Sequence, residues 1–182
     1  MSLEIVGHAI VSADGRIADR DHRMPAALRS EADWQRFQAA LDAAALVVLG
    51  RLGHEAHANP GRRRLVATRR VASLAPDPAD PRATLWNPAG IDFDAALGAL
   101  DIPHGIVAVT GGTGVFDLFL ARFIRFDLAR VPAVTLPDGL PCFSAGPPDM
   151  VLAAARLRPD PAVVLDPRTS LAVWRRYDPV SQ

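Results

Sequence analysis

Short, mostly apolar runs recur along the chain. They span residues 4–11, 43–49, 65–68, 84–86 and 105–109. Runs of this length, rich in β-branched residues and closed by Gly, Asp or Arg, predict mostly buried strands. Between them the apolar period lengthens. Trp34, Phe37, Ala40 and Leu41 fall on one helical face, as do Phe93, Ala96, Leu97 and Leu100, and residues 115–121 continue that spacing. Ser30 with Asp33 three residues on predicts the N-cap of the first of these helices. Residues 52–57 predict a short helix stopped by Asn59-Pro60-Gly61. Residues 20–29 are charged and irregular, and residues 76–81 read as a stiff loop. Beyond residue 121 the pattern predicts strands only. An alternating run at 126–131 leads through Pro132 to residues 133–136, and strand-like runs follow at 150–158, 162–165 and 171–177.

Strands and helices in alternation, followed by strands, predict a single α/β domain over residues 1–182. Its sheet is mostly parallel with an antiparallel, hairpin-like C-terminal edge. Such sheets bind ligands beyond the carboxyl ends of their strands. Four loops are expected there: the turn at Asp14, Gly50-Arg51, Thr68-Arg69-Arg70, and Gly111-Gly112-Thr113-Gly114. The last joins an apolar strand to a helix start, where unpaired backbone N–H groups favour an anion and glycine lets it approach. The same glycines also suit a plain strand-to-helix turn. Two forked guanidiniums after Thr68 suit a phosphate monoester. Asp14 reads either as a turn residue or as a carboxylate at the mouth of a site. Asp33 reads as a helix cap in its own right.

Composition narrows the classes. Apolar content of 49% and charge of 22% are those of an ordinary globular protein, and the net charge of zero argues against a nucleic-acid partner. Every basic residue is Arg, so a Walker lysine, a Schiff-base lysine and a lysine general base are excluded. Cys142 is alone, which excludes an internal disulfide. The N-terminus lacks a signal pattern and no run approaches a membrane span, so a cytoplasmic protein without a membrane partner is expected. His54 and His57 are three apart around Glu55, not the four of the metalloprotease motif, so no metal is expected. The arginines at 62–64 read as a solvated edge.

The ordered set resembles the dihydrofolate reductase superfamily. It comprises Ser12-Ala13-Asp14-Gly15, the helix with Asp33, Gly50-Arg51, Thr68-Arg69 and Gly111-Gly112. Within the superfamily it is most similar to the branch containing the reductase domain of riboflavin biosynthesis. The likeness spans nearly the whole chain; each motif is weak alone, and the order is the more specific signal.

The resemblance implies a three-layer fold with helices on both faces and an NADPH-dependent reductase. It places Gly111, Gly112, Thr113 and Gly114 at the cofactor pyrophosphate. Gly50 and Arg51 face the cofactor, and Thr68, Arg69 and Arg70 lie at the 2′-phosphate. Asp14, in Ser12-Ala13-Asp14-Gly15, matches the substrate acid of the riboflavin branch; Asp33 matches the pterin-contacting acid of dihydrofolate reductase. The two are rival catalytic carboxylates, and both could serve; Arg16 is a candidate cation for a phosphorylated substrate.

The implied small-molecule substrate is a pteridine- or aminopyrimidine-like heterocycle. The first choice is of the 5-amino-6-(5-phosphoribosylamino)uracil reductase type and the second is dihydrofolate. A homodimer paired through the C-terminal strands, with Ala172-Val173-Trp174 in the interface, is also implied. Gly53-His54 stand where the family has Thr and an aromatic, and the first glycine of a later motif is missing from Leu136-Pro137-Asp138-Gly139-Leu140-Pro141-Cys142-Phe143. No deaminase motif accompanies the chain, so the fused bifunctional form is not expected. A non-catalytic nucleotide- or metabolite-binding module on the same scaffold is the alternative of another class.

Overall fold

The computed structural model describes residues 2–57 and 59–177. The chain runs β1 (Leu3–Ser12), β2 (Arg16–Ala18), α1 (Glu31–Asp42), β3 (Leu46–Gly50), α2 (Arg51–Ala56), β4 (Arg64–Ala67), β5 (Leu74–Asp77) and β6 (Asp80–Trp86). It continues α3 (Phe93–Ala99), β7 (Gly105–Val109), α4 (Thr113–Phe119), β8 (Arg125–Val131), β9 (Leu140–Pro141), α5 (Pro148–Ala154), β10 (Leu157–Pro159), β11 (Val163–Asp166) and β12 (Thr169–Arg176). The main sheet has the order β10-β12-β8-β1-β7-β3-β4-β6-β5, with β11 also on β12. The six central strands β8, β1, β7, β3, β4 and β6 are parallel. β5 closes one edge as an antiparallel hairpin with β6, and β12 with its partners closes the other. A small antiparallel ribbon, β2–β9, stands apart.

The layers follow from alternation along β1. Ile5 and Val11 enter the larger core with apolar residues of α3, α4 and α5. On the other face α1 covers Val47, Leu49, Val66 and Ala108 with Leu41 and Phe37, and a third cluster forms around Ile10, Leu28, Ala129 and Leu171. Aromatic rings fill the first face. Gly7 lies opposite Phe126, and a Cβ there would come within 2.2 Å of the ring, so the strand needs glycine for the ring to lie against it.

Four expectations are corrected. Residues 148–154 form a helix, α5, not a strand: Pro147-Pro148 starts it and Val151 and Leu152 bury one face, so a helix stands among the late strands. Residues 76–81 are not an irregular loop but the turn end of a hairpin, with the turn between Asp77 and Asp80. Trp34 is 51% exposed, and α1 instead turns Asp33, Phe37 and Leu41 inward. The 126–131 strand ends at Val131, and residues 132–136 are turn and loop.

Candidate functional site at the carboxyl rim of the sheet

β3, β4 and β7 are parallel neighbours or next neighbours, so their carboxyl ends open on one rim. The glycine turn and the Gly-Arg turn are stitched together there, the Gly50 amide donating to the Gly111 carbonyl at 3.0 Å. Gly111 and Gly112 have φ of 117° and 48°, angles that disfavour a side chain, and a Cβ on Gly112 or Gly114 would meet nothing within 4 Å. The space above the start of α4 is therefore open. The Thr113 hydroxyl is not free for a guest; it donates to the Pro141 carbonyl at 2.5 Å.

Thr68 is buried at the end of β4, and its hydroxyl accepts from the Arg70 amide at 3.2 Å, shaping the next turn. Arg69 and Arg70 are exposed. Glu55 of α2 accepts from Arg51 at 2.7 Å and from Arg70 at 3.2 Å, joining two predicted loops. The Arg51 hydrogen bond, helped by both guanidinium charges, holds the Glu55 carboxyl below its usual range. Three arginines thus stand against one glutamate.

Asp14 projects from the turn after β1. Its carboxylate accepts from the Ser12 hydroxyl at 2.6 Å and from the Leu136 amide at 3.0 and 3.2 Å. Desolvation opposes its charge, but the Ser12 and Leu136 hydrogen bonds outweigh it and keep the group below the ordinary value. Arg16 begins the β2–β9 ribbon opposite Pro141, so the ribbon links the Asp14 turn to Thr113 and the glycine turn. Arg16 Nε is buried without a hydrogen-bond partner.

Asp33 lies on the α1 face of the sheet. Arg36 donates to it at 2.9 and 3.3 Å and also to Asp127 of β8 at 2.8 Å. Asp127 is fully buried and receives a second guanidinium, that of Arg125, at 2.6 and 2.8 Å. His8 is the register partner of Asp127; its Nδ1 lies 3.5 Å from that carboxylate and makes no hydrogen bond. Burial pushes His8 down to about 4 despite the carboxylate beside it, so the ring is neutral at pH 7. Burial likewise raises Asp33, which Asp127 and Asp166 reinforce and Arg36 opposes.

No family model matches the sequence, and no curated protein matches it. Solved structures do match. One is a diaminohydroxyphosphoribosylaminopyrimidine deaminase/5-amino-6-(5-phosphoribosylamino)uracil reductase from Thermotoga maritima. It is 16% identical with a TM-score of 0.70, covering 97% of this chain and 57% of its own. A candidate riboflavin biosynthesis protein from Shewanella sp. PV-4 is 19% identical with a TM-score of 0.65, covering 98% and 100%. Dihydrofolate reductase from Enterococcus faecalis, complexed with NADP(H) and RAB-propyl, is 16% identical with a TM-score of 0.67, covering 96% and 97%. The chain has the dihydrofolate reductase fold. It spans little more than half the length of the Thermotoga protein.

On this fold the predicted residues divide into two groups. Gly50, Arg51, Thr68, Arg69, Arg70, Gly111, Gly112, Thr113 and Gly114 follow neighbouring strand ends, with Ser12, Asp14 and Arg16 tied in through the ribbon. Asp33 shares no hydrogen-bond partner with Asp14. His8, Arg36, Arg125 and Asp127 were not anticipated, nor was Glu55 as a bridge. The signal for Glu55 was its place four residues after Arg51 on a helix. For Arg125 and Asp127 it was their i, i+2 spacing on a strand otherwise apolar on that face. His54 Nε2 pairs with Asp77 at 2.7 Å. Arg64 is not solvated but 3% exposed, and it pairs with Asp80.

Proposed function

We propose that the chain is an NADPH-dependent reductase that delivers hydride to a pteridine- or aminopyrimidine-like heterocycle. A phosphoribosylaminouracil-type substrate is preferred over dihydrofolate. The observation that carries this reading is the meeting of three loops at one rim. There the open backbone of Gly112 and Gly114 adjoins Gly50-Arg51, and Arg51, Arg69 and Arg70 outnumber Glu55. A pyrophosphate suits the first feature and a 2′-phosphate the second. When bound, the nicotinamide supplies the hydride. The protein's own residues orient the cofactor, exclude water and present a carboxylate to the heterocycle.

Of the two acids, Asp33 is proposed as the proton-holding group, because burial moves its pKa toward neutrality. Asp14 is proposed to fix the loop at Leu136 beside the substrate. The unpartnered Arg16 Nε supports a substrate carrying an anionic group. The alternative, a binding module without turnover, draws support from the internal partners already held by both carboxylates and by the Thr113 hydroxyl.

NADPH oxidation assayed with a panel of pterins and ribosylaminouracils tests both readings. Asp33→Asn is expected to lower kcat by about 100-fold or more, the usual span of general acid catalysis. Asp14→Asn is expected to act mainly on KM. Tight NADPH binding with no turnover of any member would favour the module, and no binding of NADPH would end both.

A further inference from the structure

We propose that the opposite rim of the sheet carries a second ligand site, for a small organic phosphate, independent of the proposed cofactor site. The amino ends of β3, β4 and β6 frame a concavity of about 510 Å³ lined by Leu46, Arg63, Arg64, Arg82, Thr84 and Leu100, among others. Its size falls within the range of small-molecule sites. β4 is four residues long, so this rim stands about 13 Å from the loop at Thr68.

Charge makes the concavity specific. Arg64 is compensated: it donates to Asp80, and its Nε is held by the Arg62 carbonyl at 3.2 Å. Asp42 is taken up by Arg62 at 2.7 and 2.9 Å. Arg63 and Arg82 have no carboxylate partner among the described residues. Each is held instead by a neutral backbone carbonyl, Arg63 by Leu100 at 2.5 Å and Arg82 by Gly61 at 3.1 Å. Each contact uses one N–H of five, so both guanidiniums are oriented and still rich in donors.

In a chain of zero net charge, two uncompensated cations beside one concavity repel each other. An anion between them turns that repulsion into attraction, and phosphate oxygens match the guanidinium fork. Leu46 and Leu100 give an apolar wall for the organic part, and Thr84 a hydroxyl. The ligand class is therefore a phosphate ester of about nucleotide size.

Inorganic tripolyphosphate is the probe, titrated calorimetrically into the full chain. Saturable binding is expected in the wild type and in the Arg69→Ala/Arg70→Ala variant, which weakens the cofactor rim. It should weaken at least about tenfold in Arg63→Ala/Arg82→Ala, while NADPH affinity stays unchanged there. Arginine footprinting with phenylglyoxal on the wild type gives a second reading that needs no variant: tripolyphosphate should protect Arg63 and Arg82. Equal binding by Arg63→Ala/Arg82→Ala, no saturation at millimolar probe, or protection confined to Arg51, Arg69 and Arg70 would each overturn the proposal.

Discussion

Burial of ionisable side chains decides the chemistry at the level of single residues. His8 sits neutral beside a buried carboxylate because desolvation outweighs the attraction of Asp127. Its folded pKa, about 4, lies below the 6.5 of a free imidazole, so the unfolded chain binds the proton more tightly. Stability from this residue is full above pH 6.5 and is lost as pH falls toward 4, by an amount on the order of 3 kcal/mol. Urea unfolding at pH 7 and pH 5 is expected to reveal that loss, and His8→Gln to flatten it. An unchanged slope in His8→Gln would assign the acid sensitivity to other groups. Asp33, raised by the same burial, is relieved rather than strained by acid and works in the opposite sense. At the cofactor rim, Arg69→Ala/Arg70→Ala is expected to weaken NADPH by about tenfold or more and leave NADH nearly unaffected. Equal losses for both cofactors would detach these arginines from the 2′-phosphate.

α1 shows how an element sets what its residues can do. Ser30 caps it, accepting from the Asp33 amide at 3.2 Å while donating to Asp166 across the β11–β12 turn at 2.6 Å. Ser30→Ala should therefore cost about 1–2 kcal/mol in denaturant unfolding, at the upper end for a cap because a tertiary bond goes with it. A loss of only a few tenths would mean that the Asp166 contact adds nothing. The helix is rotated from the phase its large apolar residues suggest. Trp34 packs on Phe37 at 5.9 Å from the outside, and Asp33 and Arg36 occupy the inward position over β1 and β8. An ionic cluster in that place fixes how α1 sits on the sheet, since a buried carboxylate must meet its guanidinium. On the other face, Gly7→Ala forces a Cβ into the Phe126 ring and should destabilise the sheet centre by about 1–3 kcal/mol.

Taken as a whole, the molecule separates its chemistry by rim and by face. The carboxyl rim gathers glycine turns and arginines, the amino rim holds an arginine-lined concavity, and the α1 face carries the ionic cluster. No helix of the described residues is long and apolar enough to cross a membrane. The dimer implied by the resemblance, paired through the C-terminal strands, remains a proposal. Trp174 is buried within its own protomer's core, and β12 is paired on both sides. Val163 and Val164 of β11 are the exposed apolar residues of that edge. Sedimentation at micromolar concentration is expected to give a dimer that Val164→Glu weakens; a monomeric wild type would refute it.

Local signals determined much of this protein from sequence. Apolar runs located the central strands, because a strand buried on both faces must be apolar throughout. Glycines at 111 and 112 marked a turn that needs positive φ, and Ser30 marked a helix start. Those rules act over a few residues and survive without knowledge of the fold. Tertiary structure alone decided that Arg36 is shared between Asp33 and Asp127, that Asp127 is gripped by arginines from two elements, and that Arg64 is buried. It also decided that α5 is a helix. Each of these depends on partners from distant parts of the chain, whose pairing compensates a desolvation cost that no local spacing records.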